Sequence, residues 1–123
     1  MQMAALMSAF FDNTISFLNE LTEMYPDDAD FSFLLNTVKL MKTTNPSLVV
    51  TTVRNETRNF SEKIMKKDES FFMSYSFEEY SKNIDLAIIP RLRNYISNMD
   101  QKSKDSVWAY IQNITRLAAA LQK

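Results

Sequence analysis

Apolar residues recur three and four positions apart through five successive segments of this 123-residue chain. That spacing puts them on one side of an α-helix, so the pattern points to helices packed on helices. Met3, Leu6, Met7, Phe10, Phe11, Phe17, Leu18 and Leu21 make the widest face, and they predict a helix over 3–24 that stops before Pro26. Asp27 and Asp28 supply cap carboxylates for a second helix, with Phe31, Leu34, Leu35, Val38 and Met41 as its stripe and its end near Thr43. At Asn45-Pro46 the chain restarts: Asn caps, and Pro occupies a first helical position where its missing N–H is no loss.

The run Leu48 to Val53 is rich in β-branched residues, and propensity alone would make it a strand. No second strand exists to pair with it, and Val49, Val53, Phe60 and Ile64 share a helical stripe, so a third helix is expected over 46–66. Residues 66–80 read as an aromatic-rich connector that covers the core, with Asp68 as a cap and a short turn over Ser76–Ser81 in which Ser76 and Glu79 form a capping box. Ile84, Ile88, Leu92, Ile96 and Met99 keep helical phase across Pro90, predicting a kinked helix over 82–98. Asp100 caps a last helix over 101–121, where Ala118-Ala119-Ala120 permits close approach of a neighbour. The expectation is all-α: one domain over 1–123, a single compact bundle of about five main helices with one aromatic-rich connector. Phe10, Leu35, Val53, Phe60, Leu92, Trp108 and Ile111 are its predicted core.

The chain contains no Gly, no Cys and no His. Histidine and cysteine zinc sites, thiol chemistry, disulfides, Ser-His-Asp triads and glycine-rich phosphate loops are therefore excluded. Asp27, Asp28 and Asp30 lack calcium-loop spacing and are explained by capping, and Glu78-Glu79, as sequence neighbours, do not make an opposed catalytic pair. The expectation is a non-enzymatic chain with no catalytic residue, no metal and no cofactor. No run approaches the roughly 18 apolar residues of a membrane span. Met3 to Phe11 is not preceded by a basic residue and is followed by Asp12, so no signal peptide is expected and the setting reads as intracellular, away from membranes. Three N-x-Ser/Thr sequons, at Asn55, Asn59 and Asn113, carry no weight without one.

Charge is divided along the chain. Residues 1–38 hold six acids and no Lys or Arg, whereas 39–67 hold seven basic residues against two acids. Either the segments attract one another, or they present docking surfaces for charged partners. Arg54, Arg58, Lys63, Lys66 and Lys67 are candidate phosphate contacts, which would make the chain an accessory nucleic-acid-binding protein using the segment 54–67. The favoured reading is a protein-interaction or structural module, partnered by another protein or by copies of itself. Its candidate interface is Phe11, Phe17 and Met24 on the Met- and Phe-rich first helix, with Phe71 and Phe72 as a second site.

Four local phrases carry a resemblance: Thr44-Asn45-Pro46, Lys67 to Phe72 (KDESFF), Ile89 to Tyr95 (IPRLRNY) and Lys104 to Tyr110 (KDSVWAY). Together, over residues 10–120, the chain resembles the small, poorly characterised all-helical proteins of nucleocytoplasmic large DNA viruses, especially those of algae. The resemblance implies a viral protein acting in the host cytoplasm or packaged in the virion. It brings no catalytic residue.

Overall fold

The computed structural model describes residues 2–74 and 88–121. Among the described residues seven α-helices run in order: α1 Gln2–Met24, α2 Ala29–Thr44, α3 Pro46–Arg58, α4 Ser61–Met65, α5 Glu69–Ser74, α6 Ile88–Asn98 and α7 Gln101–Ala120. No strand is present among the described residues, so the fold is an all-helical bundle.

The long helices begin where the local chemistry says they should. Asp28 caps α2 by accepting the Asp30 amide at 3.1 Å, and Asn45 caps α3 by accepting the Leu48 amide with Pro46 in the first position. Asp100 accepts the Ser103 amide at 2.8 Å and opens α7. Each of these oxygens satisfies an amide that has no partner inside its helix.

The expected third helix over 46–66 is in fact two, α3 and α4. The Thr57 hydroxyl bonds back to the Val53 carbonyl at 2.8 Å, and the Phe60 amide turns to the Thr57 carbonyl at 3.0 Å. Phe60 then takes φ −116 and ψ 3, outside helical geometry. The chain thus leaves the helix by a tight turn at Asn59-Phe60 although the apolar stripe continues. Of the helix expected over 82–98, α6 is the described part, with Pro90 in its first turn. Residues 82–87 and the Ser76–Ser81 turn lie outside the described residues.

α1 is the central element, packed against both α2 and α7, while α3 bridges α2 and α7. Phe17 meets Tyr110 with ring centroids 5.4 Å apart, whereas Phe10 and Phe11 share a cluster with Ile114, Ala118 and Leu121 further along α7. α1 and α7 are therefore antiparallel. Val49 and Val50 of α3 complete the cluster. Ala118 is fully buried, the close approach anticipated for the alanine run, although Ala119 and Ala120 face outward. Phe10 and Leu35 are buried as predicted. Val53, Phe60, Leu92, Trp108 and Ile111 are only half-buried. Phe60, Trp108 and Ile111 line a cavity rather than a filled core.

Candidate functional site: an apolar cavity braced by polar clamps

The first helix does not offer the surface expected of it. Phe11 is 1% exposed and stacks edge-on against Phe10, so it belongs to the core and not to an interface. Phe17 is half-buried against Tyr110, and Met24 alone of the three is exposed. The Tyr110 hydroxyl donates to Glu20, giving the acid near the C-terminal end of α1 a partner inside the molecule.

Phe71 and Phe72 lie elsewhere, in the wall of a half-open cavity of ≈190 Å³ bordered by α4, α5, α6 and α7. Phe60, Ile64, Ile96 and Trp108 supply most of the remaining wall, and its surface is almost wholly apolar. Phe60 and Phe71 face each other at 6.0 Å. Charged groups stand at the edge and are paired: Lys63 with Asp68 at 3.7 Å, and Lys104 with Glu69 at 3.3 Å. Lys63 also lies 5.2 Å above the Phe71 ring, a cation–π contact.

The walls are tied together. Gln112 of α7 donates its amide to the Ile64 and Met65 carbonyls, filling the open C-terminal end of α4. Lys104 holds α5 to α7 through Glu69. Arg93 of α6 donates to the Phe72 carbonyl at 3.3 Å. Asp68 joins the two short helices: its amide closes α4, and its carboxylate caps α5 by accepting the Phe71 amide at 3.0 Å.

A second cluster sits at the α1–α2 corner. Asp28, 7% exposed, accepts from Arg91 at 2.9 Å and from the Tyr95 hydroxyl at 2.7 Å, while the other arm of Arg91 reaches Asp30 at 2.7 Å. Tyr95 stacks on Tyr25 at 3.9 Å. Burial works to raise the Asp28 pKa, but the Tyr95 hydroxyl, the Asp30 amide and the Arg91 charge outweigh it and hold the carboxyl below 3.8. The bond to Asp28 raises the Tyr95 pKa. With its oxygens engaged, Asp28 acts as a staple between α2 and α6. The three acids at 27, 28 and 30 do not converge on a common point: Asp28 and Asp30 turn to Arg91, and no metal-holding group of acids occurs among the described residues.

The five basic candidates do not lie along one helix, because the break at Asn59-Phe60 separates Arg54 and Arg58 from Lys63, Lys66 and Lys67. Lys63 is paired as above, and Lys66 pairs with Glu62 at 3.5 Å. Arg58 donates to Asn55, and Arg54 is half-buried. Lys67 is exposed.

No protein-family model, no curated protein and no solved structure matches this chain. No helix among the described residues is long and apolar enough to cross a membrane.

The cavity that Trp108 lines escapes a reading of the sequence, where Trp108 is a predicted core residue on the α7 stripe. Arg91 is likewise invisible as the partner of Asp28 and Asp30, 63 and 61 positions away.

Proposed function

We propose that this chain is a non-enzymatic protein-interaction module that receives one bulky apolar side chain of a partner polypeptide in the cavity between α4, α5, α6 and α7. The apolar cavity carries this reading. Its ≈190 Å³ is somewhat more than the roughly 150 Å³ that accommodates a benzene ring, and less than the roughly 300–1,000 Å³ of cofactor and drug-sized sites. One aromatic or leucyl side chain fits that volume. The charged groups at its edge are engaged with one another, which leaves them as orienting contacts for a peptide backbone and no evident acid–base pair for chemistry. Buried aromatic anchors of this kind dominate binding energy in protein interfaces.

Trp108 is the sole tryptophan, so its fluorescence reports occupancy directly. A random-peptide library selected on the full chain should enrich sequences with a single Trp, Phe or Leu anchor, and those peptides should shift Trp108 emission. Val107→Phe, which fills the cavity from α7, should abolish binding while leaving the helical circular dichroism unchanged. Peptides that bind the filled variant as well as the natural chain would sink the proposal. Binding of DNA or RNA at low salt, lost on joint charge reversal of Arg54, Arg58, Lys63, Lys66 and Lys67, would move the function to the basic segment.

A further inference from the structure

α6 forms part of the cavity wall without belonging to the closely packed part of the bundle. α1, α2, α3 and α7 pack helix on helix, and α4 rests on α7, but α6 is in none of these close pairs. No residue from 90 to 98 is fully buried. Ile96 nevertheless lines the cavity, and so does Met99, just past the helix. A wall that buries so little apolar surface of its own is held in place by whatever grips its edges.

Among the described residues the grips lie on two sides of the helix. Arg91 and Tyr95, four positions apart, share one side. Arg91 reaches Asp28 at 2.9 Å and Asp30 at 2.7 Å, and the Tyr95 hydroxyl donates to Asp28 at 2.7 Å. The Tyr95 ring lies on Tyr25 at 3.9 Å and meets Phe31 at 5.9 Å. Phe31 is buried and α1 packs closely on α2, so this seat belongs to the packed α1–α2 pair and not to the cavity. On the other side Arg93 donates to the carbonyl of Phe72, a residue of the facing wall, at 3.3 Å. Ile96 follows Tyr95 by one residue, about 100° round the helix, and so falls between the two grips. At the C-terminal end of α6 only Met99 and Asp100 separate it from α7, which makes that link a pivot.

Resting on the reading of the cavity as the binding site, we propose that α6 is its movable wall and that Arg91 and Tyr95 are positioning residues, which set the width of the cavity from the α1–α2 corner. Neither lines the cavity. While they are seated on Asp28 and Tyr25, Ile96 is held in the wall. When the seat is lost, α6 swings on Met99-Asp100 and the cavity opens on that side. By linkage, an occupant of the closed cavity strengthens the seat by the same factor with which the seat strengthens its binding.

Trp108, the sole tryptophan, reads the wall without any ligand. Arg91→Met and Tyr95→Leu should each raise the quenching of Trp108 by acrylamide about twofold or more, with helical circular dichroism retained. Arg91→Lys, which keeps a charge for one carboxylate, should fall between Arg91→Met and the natural chain. Tyr95→Phe removes one hydroxyl and keeps the stack, so it is the mildest variant and should shift quenching in the same direction. Arg116→Met, at an exposed α7 position outside the cavity, should change nothing. Benzene, followed by the Trp108 indole proton in NMR spectra, should bind Arg91→Met about fivefold or more weakly than the natural chain under conditions where both are fully folded. Equal quenching in the natural, Arg91→Met and Tyr95→Leu chains, or equal benzene affinity, overturns the proposal. The quenching uses no peptide, so its outcome is separate from any failure of peptide selection.

Discussion

Lys67 sits at φ 55, in the left-handed region, and closes α4. Its own amide bonds to the Ile64 carbonyl at 3.1 Å and the next amide, of Asp68, to the Lys63 carbonyl at 3.0 Å. This is the helix ending in which glycine ordinarily takes the left-handed position, since a Cβ there costs about 1–2 kcal/mol. A chain without glycine gives the position to lysine and bears the strain beside its cavity. Lys67→Gly should therefore stabilise the fold by up to about 1 kcal/mol, after the extra freedom glycine gives the unfolded chain is subtracted. Urea denaturation followed by circular dichroism measures this, and an unchanged or lowered midpoint would contradict the strain argument.

At the level of the helix, starts are set by single side chains. Asp100 accepts the Ser103 amide and its carboxyl is held below its ordinary value by that bond. Asp100→Ala should lower the thermal midpoint, and Asp100→Asn should restore most of it. Caps of this kind were legible in the sequence because a cap and its amide lie within three residues: Asp28, Asn45, Asp68 and Asp100 all act as their positions suggested. The break at Asn59-Phe60 was not, because an apolar stripe continues through it. Faces were harder still. Phe11 and Phe33 are both aromatic residues on apolar helices, yet one is buried at the centre and the other stands in solvent. The difference lies in how many neighbours each helix has, which local spacing does not encode. Half of the candidate site was visible, in Phe71 and Phe72, and its other wall depends on where α6 and α7 come to rest.

Across the whole molecule the acids of the α1–α2 corner find their basic partner outside the basic segment 39–67, because Arg91 of α6 reaches back to Asp28 and Asp30. Asp28 has its folded pKa lowered below 3.8, so its contribution is complete above that value and is lost as pH falls through the depressed one. Acid titration of stability should show a loss beginning below about pH 4, and Asp28→Asn should remove this step. Loss of the charge with Arg91 left in place should also lower stability at neutral pH, because the Arg91 guanidinium and the Tyr95 hydroxyl lose their charged acceptor. The antiparallel meeting of α1 and α7 has a consequence in time. On a ribosome, α1 is made before α7, and the α7 residues that cover Phe10 and Phe11 follow about 100 residues later, roughly 5–20 s at ordinary rates of synthesis. During that interval two phenylalanines of the nascent chain have only α2 and α3 to shelter them. α7, made after the helices it packs on, is the one that closes the core, and until it emerges the growing polypeptide has the kind of apolar surface that chaperones hold.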